Sequence, residues 1–91
     1  MIYDIHFKEE ATRDLVVLAK SEPKAFAKAQ SLISELRDHP RTGTGHPEQL
    51  SGDRAGQWSR SITKKHKLIY EIHDMEVIVL VLTAYGHYDD K

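Results

Sequence analysis

The sequence predicts an α+β domain in which a helical layer packs on one face of a single twisted sheet. Three observations predict it: an alternating N-terminal segment, two consecutive segments with apolar residues at helical spacing, and three later segments, alternating or apolar, joined by short links. A chain of 91 residues can form one domain and not two, so residues 1–91 are expected to be a single domain.

The first half is predicted to contain one strand and two helices. Ile2–Phe7 alternates with apolar residues on one side, as a half-buried strand does. Lys8–Lys20 carries apolar residues at helical spacing and lacks Gly and Pro, which favours a helix. Ser21 is expected to cap a second helix that has Pro23 in its first turn and stops at Pro40.

The second half is predicted to form a loop and then an antiparallel meander of three strands. Arg41–Gly56 holds four glycines and is expected to be a loop. Strands are expected at Trp58–Thr63, Lys67–His73 and Val77–Tyr85, and the short links between them favour antiparallel pairing. The last of these segments is apolar almost throughout, which is typical of a strand buried on both faces.

The pairing of the last two strands brings candidate residues towards one end of the sheet. If residues 74–76 form the turn, Lys67 lies opposite Thr83, and His87 lies ~13 Å further along the strand. Because helices cover only one face of such a sheet, the other face can present a ligand site where polar side chains converge.

Composition excludes several classes of protein. The chain has no cysteine, and its six histidines are scattered without metal-ligand spacing, so neither a disulfide framework nor a metal site is expected. No signal peptide is evident, and the longest apolar run, Val77–Leu82, is far too short to cross a membrane. We therefore expect a cytoplasmic protein.

Charge is unevenly distributed, although the net charge is only −1. Between Arg54 and Tyr70 there are five Lys or Arg residues and no Asp or Glu, whereas five acids and one Lys follow from Glu71 onward. A local basic stretch suits a surface that follows a phosphate backbone, but a solvated basic hairpin has the same composition. Charge alone leaves both interpretations open.

Three residues suit metal-independent cleavage of RNA. In that reaction the 2′-OH attacks the neighbouring phosphate, so catalysis needs a base for the hydroxyl, an acid for the 5′-oxygen and positive charge for the transition state. Glu48, His87 and Lys67 together provide these groups. Taken singly, each has a simpler explanation: a surface loop acid, part of a frayed terminus, and a cation that discourages edge-to-edge strand pairing.

Four ordered stretches of the chain match the motifs of one toxin family. They are Gly43-Thr44-Gly45-His46-Pro47-Glu48-Gln49-Leu50, Gly56-Gln57-Trp58-Ser59-Arg60-Ser61-Ile62, His66-Lys67-Leu68-Ile69-Tyr70 and Gly86-His87-Tyr88. In order and spacing they resemble the YoeB/Txe family, within the larger RelE-like superfamily, and the resemblance extends over nearly the whole chain. It implies a fold similar to that of the small microbial ribonucleases.

The resemblance implies a toxin that cleaves mRNA in the ribosomal A site and so inhibits translation. By the family pattern, Glu48 is the general base, His87 is the general acid, Lys67 stabilises the transition state and Tyr88 helps to hold the RNA. The other residues expected to contact RNA are Trp58, Arg60, Lys64 and Lys65. No cofactor and no metal are implied.

The chain departs from the family pattern at several basic positions. Lys67 stands where the family usually has Arg, and lysine keeps the charge without the bidentate fork. Ser61 replaces the second Arg of an Arg-Arg pair, and Ser51 replaces a Lys after the glutamate loop. Asp89-Asp90-Lys91 extends beyond the His-Tyr end. These departures bear on the rate of reaction more than on the family.

The resemblance also implies partners. A YefM/Axe (Phd-like) antitoxin is expected to neutralise the toxin, and operator DNA is expected to be bound only through the toxin–antitoxin complex. The ribosome and mRNA are the other implied partners; a homodimer is compatible with the family, and no membrane partner is expected. Two alternatives stay open: a non-enzymatic toxin of the ParE type that acts on DNA gyrase, and an inactive relative that only binds antitoxin or operator DNA.

Overall fold

The computed structural model describes residues 2–86, which form one mixed sheet with two helices on one of its faces. In chain order the elements are β1 (Asp4–Phe7), α1 (Glu9–Ser21), α2 (Pro23–Leu36), β2 (Glu48–Gln49), β3 (Gln57–Ser61), β4 (Lys67–His73) and β5 (Ile78–Thr83). The strand order is β1-β5-β4-β3-β2, with β1 parallel to β5 and the other pairs antiparallel. The predicted α+β class and the antiparallel meander are confirmed.

The two helices follow local sequence signals with one exception. Pro23 begins α2 as predicted, since its fixed φ suits the first turn of a helix, and α2 ends at Leu36, before Pro40. Ser21 is not the predicted cap: it is the last residue of α1, and its hydroxyl donates to a carbonyl of the preceding turn at 2.8 Å. Glu22 occupies the position between the helices instead. Neither helix is long and apolar enough to cross a membrane.

The core lies between the helices and one face of the sheet. The buried sheet residues of this core include Leu68, Tyr70, Val79 and Val81. The buried helix residues are Ala11, Leu18, Ala25, Ala29, Leu32 and Leu36. Burying one large aliphatic side chain stabilises a fold by about 1.5–3 kcal/mol, so this layer fixes which face of the sheet is covered. The odd-numbered residues at the start of β4, Lys67 and Ile69, therefore point to the face without helices.

Three features of the sheet differ from the sequence prediction. The segment predicted as a loop contains β2, which pairs with β3 and forms one edge of the sheet. Between β4 and β5 the register shifts, so that Ile69 rather than Lys67 lies opposite Thr83. β5 also ends earlier than predicted: beyond Thr83 the chain bends, and the Lys67 N–H donates to the Gly86 carbonyl at 2.9 Å. The irregularity brings Gly86 to the start of β4.

Candidate active site

The face without helices carries a row of residues that spans four strands. The strand register places Glu48 opposite Ser59, Ser59 opposite Ile69, and Ile69 opposite Thr83. Glu48 is exposed at the edge of the sheet, whereas Ser59 and Ile69 each expose only 1% of their surface. The row therefore forms a recessed floor with a carboxylate at its outer edge.

Lys67 lies next to this row on the same face. It pairs with Ser61 across β3 and β4, and its ammonium donates to Ser61 Oγ at 3.0 Å. An ammonium carries three donors, so this bond leaves capacity for a phosphate oxygen. From strand spacing and rise, the Cα atoms of Glu48 and Lys67 are roughly 12 Å apart. The fold thus brings two of the predicted catalytic residues onto one surface.

The position of Arg60 contradicts the prediction that this residue contacts RNA. Its side chain is fully buried, because Arg60 faces the helices together with its strand partner Leu68. The guanidinium donates to the Tyr70 hydroxyl at 3.1 Å and to Glu35 Oε1 at 2.5 Å. It also donates to the backbone carbonyls of His39, Thr42 and Thr44. Arg60 is therefore a structural cation inside the fold and does not reach RNA from this position.

The Arg60 network shapes the glycine-rich loop before β2. Glu35 accepts hydrogen bonds from the Thr44 backbone N–H at 2.7 Å and from the Thr44 hydroxyl at 3.0 Å. Gly43 has a φ of +117°, and a Cβ at that position would lie 2.2 Å from Glu35 Oε1, so glycine is required there. The loop is thus a turn held in place by the Glu35 carboxylate, which Arg60 in turn binds.

The same loop is joined to β3 two residues later. The Gly45 carbonyl accepts a hydrogen bond from the Ser61 N–H at 2.7 Å. A Cβ on Gly45 would lie 3.1 Å from the Ser61 carbonyl oxygen, so the two backbones are in close approach. Because the loop is held on both sides, the chain enters β2 in a fixed place, and this sets where Glu48 lies along the edge.

Burial also sets the ionisation of the network around Arg60. Burial raises the pKa of Tyr70, and the hydrogen bond from Arg60 offsets only part of this rise. Burial by itself would raise the pKa of Glu35 too, but hydrogen bonds from Thr44 and Arg60 lower that pKa overall. At neutral pH the buried guanidinium is therefore paired with an ionised carboxylate.

The remaining predicted RNA contacts divide between the two faces. Trp58 is half-buried and packs against the core on the helix side, so it does not share a face with Glu48, and its contact with RNA stays a prediction. Lys64 and Lys65 are exposed in the turn between β3 and β4. Lys65 Nζ lies 3.8 Å from the Glu22 carboxylate, with 74% of its side chain exposed. These two lysines therefore stay candidates for RNA contact.

His66 opens one of the four motifs but was not among the predicted site residues. It exposes only 4% of its surface, its Nε2 lies 2.7 Å from Glu22 Oε2, and its Nδ1 accepts a hydrogen bond from the Gly86 N–H at 2.9 Å. Its ring stacks on that of Tyr85, with the centroids 4.4 Å apart. The hydrogen bond from His66 lowers the pKa of Glu22. These partners are distant along the chain, so no local spacing could indicate them.

The predicted general acid, His87, and the predicted RNA-holding residue, Tyr88, lie outside residues 2–86. Gly86 is the last residue described, and its carbonyl is bonded to the Lys67 N–H. Gly86 is therefore fixed beside Lys67. If β5 had continued without the register shift, Gly86 would lie several residues beyond Lys67 along the strand.

The part of the chain that the structure describes has no group of three or more His, Asp or Glu side chains arranged to hold a metal ion.

A groove of about 780 Å³ lies on the helix side, between α1, α2 and β1. Its apolar lining includes Ile5, Phe7, Leu15, Val16, Phe26 and Ile33. Neither Glu48 nor Lys67 lines it, so it is separate from the candidate site.

Comparison with known proteins decides the family. A model of the YoeB-like toxin of bacterial type II toxin-antitoxin systems matches residues 7–88 of this chain. The chain belongs to this toxin family. Toxin YoeB of Mycobacterium bovis is 34% identical over 76 residues, which are 84% of this chain and 89% of that protein. The match of the family model extends to both His87 and Tyr88.

Solved structures agree with the assignment to the YoeB-like toxins. A YoeB/ParE toxin from Agrobacterium tumefaciens superposes with a TM-score of 0.87 at 28% identity, over 93% of this chain and 99% of that chain. YoeB of Staphylococcus aureus, in a heterotetrameric YoeB-YefM toxin-antitoxin complex, gives a TM-score of 0.80 at 26% identity, over 97% and 100%. The S. aureus YoeB dimer gives 0.82 at 26% identity, with the same coverage. This YoeB-family toxin therefore has the fold expected from its motifs.

Proposed function

We propose that this YoeB-family toxin is a metal-independent endoribonuclease that cleaves mRNA in the ribosomal A site and thereby inhibits translation. The observation that carries the proposal is the shared face of Glu48 and Lys67, beside the fixed point from which the chain continues to His87. Glu48 and Lys67 thus share one surface, and His87 is proposed to supply the acid from the residue that follows Gly86. Cleavage by 2′-OH attack needs these groups and no cofactor.

The proposed reaction proceeds in one balanced displacement. Glu48 accepts the proton of the 2′-OH as the O2′–P bond forms, and His87 donates a proton to O5′ as the P–O5′ bond breaks. The products are a 2′,3′-cyclic phosphate and a 5′-hydroxyl end. Lys67 neutralises the charge that develops on the non-bridging oxygens, which is the role of a preorganised cation in phosphoryl transfer.

The separation of the two described residues supports this assignment. The Cα atoms of Glu48 and Lys67 are roughly 12 Å apart, which leaves room for a ribose and its phosphate between a carboxylate and an ammonium. Ser59 and Ile69 lie between them in the strand register, and because both are buried they give this part of the sheet a rigid base. Ser61 holds the ammonium from one side and so limits the number of positions it samples.

RNA outside the scissile bond is proposed to follow the basic turn. Lys64 and Lys65 are exposed next to the start of β4, where a phosphate backbone entering the site would pass. Tyr88 is proposed to help to hold the RNA, as the family motif implies. Arg60 and Trp58 are not part of this proposed surface.

Partners are proposed from the same family. S. aureus YoeB is found with YefM in a heterotetrameric complex and also as a dimer. We propose a YefM/Axe-like antitoxin for this toxin, in which an acidic segment neutralises the basic turn at Lys64 and Lys65. Operator DNA is proposed to bind only through that complex, a homodimer is proposed for the free toxin, and the ribosome presents the mRNA.

The decisive experiment maps mRNA ends by primer extension in a translating cell-free extract. Wild type should produce new ends inside the open reading frame, while Glu48→Gln and His87→Ala should each lower cleavage by about 10²–10⁴-fold. Gln49→Ala is the matched control for Glu48, because it changes the neighbouring residue of β2, whose side chain points to the other face. It should cleave as wild type does.

Other outcomes separate the alternatives. Full cleavage by both Glu48→Gln and His87→Ala would refute the acid–base assignment. Intact mRNA together with altered DNA supercoiling would favour a toxin of the ParE type. Intact mRNA with unchanged translation and supercoiling would leave a protein that only binds its antitoxin.

A further inference from the structure

His66 is a buried imidazole whose two nitrogens both have partners, and the proposed reaction does not use it. Nδ1 lies 2.9 Å from the Gly86 backbone nitrogen, and Nε2 lies 2.7 Å from Glu22 Oε2. The ring is 4% exposed and stacks on Tyr85. A buried and fully bonded histidine at the end of the candidate site needs an explanation of its own.

The partners fix the tautomer of His66. A backbone N–H can only donate, so Nδ1 must be the unprotonated acceptor, and the ring proton must be on Nε2. Nε2–H then donates to the Glu22 carboxylate, which holds the ring in this orientation. A doubly protonated ring has no acceptor, so it could keep the bond to Glu22 but not the bond from Gly86.

Both backbone polar groups of Gly86 are hydrogen-bonded. Its N–H donates to His66, and its carbonyl accepts from the Lys67 N–H. Two residues earlier, the Ala84 N–H donates to Asp14 of α1 at 2.9 Å. The chain is therefore fastened to β4 and α1 through Ala84 and Gly86, and Gly86 is the last residue before position 87.

We propose that His66 is a positioning residue: Glu22 orients its imidazole, which fixes Gly86 beside Lys67 and so sets the point from which the chain continues to His87. This inference rests on the proposed function, in which His87 is the general acid. A displacement of about 1 Å in such a group can cost 10²-fold in rate. His66 is therefore expected to act on turnover rather than on substrate binding.

The charged groups around His66 come from three elements. Glu22 lies at the junction of α1 and α2, Lys65 is in the preceding turn within 3.8 Å of Glu22, and Asp14 faces the chain at Ala84. Tyr85 contributes an aromatic face.

Two substitutions isolate the acceptor. In His66→Asn the side-chain oxygen can take the place of Nδ1, whereas in His66→Gln the amide reaches the place of Nε2 and Gly86 loses its acceptor. Both variants lose the ring and its stacking on Tyr85, so they share any general loss of stability. We expect His66→Gln to lower kcat by roughly 10–100-fold with KM within about twofold, and His66→Asn to restore most of kcat. Equal losses in both variants would overturn the proposal.

A readout independent of cleavage separates this inference from the proposed function. In the NMR spectrum of the wild-type chain, His66 should show the Nε2–H tautomer, and the Gly86 amide proton should be shifted downfield and exchange slowly. In His66→Gln the downfield shift and the slow exchange should be lost, and in His66→Asn they should be retained. An Nδ1–H tautomer or a freely exchanging Gly86 amide would overturn the fastening. If wild type cleaves no RNA, the proposed function and the positioning role in catalysis fail together, and the spectrum alone decides whether Gly86 is fastened.

Discussion

The Lys67 ammonium donates to the Ser61 hydroxyl at 3.0 Å, and the two residues are partners across β3 and β4. Both are positions at which the chain departs from the basic residues of the YoeB/Txe motifs. The two departures are therefore one structural unit: the small hydroxyl at Ser61 leaves space for the lysine and gives its head a fixed acceptor. The Lys67 ammonium is therefore held by the hydroxyl of Ser61, at the position where the family motif has the second Arg of an Arg-Arg pair.

Removing the charge at Lys67 tests its role. Lys67→Met should lower single-turnover cleavage by about 10²–10³-fold, because it deletes the cation aimed at the transition state. Lys67→Arg should raise the rate, since a guanidinium can bind two phosphate oxygens at once. Ser61→Ala, which keeps the ammonium but frees it, is the control and should cost less than about tenfold. If Lys67→Met cleaves as fast as wild type, Lys67 has no role in the transition state.

The fold was largely predictable because periodicity reports which side of an element is buried. Apolar spacing gave both helices and the three-stranded meander, and Pro23 marked the start of α2. The β4–β5 irregularity was not predictable: β5 is apolar on both faces, so no alternation reveals an extra residue near Leu82. For the same reason the position of Gly86 beside Lys67 appeared only in the structure.

The candidate site was predictable by residue type but not by environment. Motif order indicated Glu48 and Lys67, and the register places them on one face. Arg60 was predicted to contact RNA because a basic residue in a basic stretch is typical of a phosphate-binding surface. The burial of its side chain instead depends on the Glu35 carboxylate, 25 residues away in sequence. His66 depends on a partner 44 residues away in sequence. Long-range pairing of this kind leaves no local pattern.

Replacing Arg60 should destabilise the fold and reveal its structural role. Arg60→Met removes the partner of Glu35 and the donor to three loop carbonyls, so the free energy of unfolding should fall by about 3–5 kcal/mol. Lys65→Met is the control, because it breaks an exposed ion pair at 3.8 Å and should change stability by no more than about 1 kcal/mol. Urea denaturation followed by circular dichroism measures both. Equal stability of the two variants would mean that the buried network adds nothing.

Two glycines on either side of β2, Gly43 and Gly52, offer a matched pair of alanine substitutions. Gly43→Ala combines a φ of +117° with a Cβ placed 2.2 Å from Glu35 Oε1, whereas Gly52 has a φ of +65° and nothing within 4 Å. Both variants carry backbone strain of order 1–3 kcal/mol. Only Gly43→Ala must also displace the Glu35 carboxylate that Arg60 and Thr44 bind. Its melting temperature should therefore fall further, and a larger fall for Gly52→Ala would contradict the steric argument.

Asp74 makes stability depend on acid pH. Hydrogen bonds from the Tyr3 hydroxyl at 2.7 Å and from Arg41 at 2.6 Å lower the pKa of Asp74 below its ordinary value of 3.8. A lowered pKa means that the ionised form favours the folded state, so the contribution is present above pH 3.8 and is lost as the pH falls through the folded value.

Asp74→Asn should therefore lower the melting temperature near neutral pH, and its difference from wild type should shrink as the pH falls below 3.8 towards the lowered pKa of the folded state. Asp53→Asn, at an exposed acid in the short 3-10 helix Gly52–Arg54, is the matched control for the loss of one carboxylate. Melting curves across this pH range measure the effect. A difference that stayed constant with pH would show that the hydrogen bonds, and not the charge, account for the stabilisation.

The turn between β3 and β4 makes a separate prediction about salt. Each Lys that contacts a single-stranded phosphate backbone adds about 0.7 to the slope of log affinity against log salt. Lys64→Gln with Lys65→Gln, in a His87→Ala background that leaves the RNA uncut, should weaken binding of a single-stranded RNA and reduce that slope by roughly 1–1.5. Fluorescence anisotropy at several salt concentrations measures both quantities.

The control for this salt effect removes the same charge from helix positions distant from the turn. Arg13 and Arg37 are exposed, and they lie roughly 13 Å and 22 Å along the helices from Glu22, the residue that contacts Lys65. Arg13→Gln with Arg37→Gln should leave the slope unchanged, because long-range charge is screened within about 8–10 Å at ordinary ionic strength. If the helix pair lowers the slope as much as the turn pair does, RNA binding reflects net charge alone and the turn is not a phosphate-contacting surface.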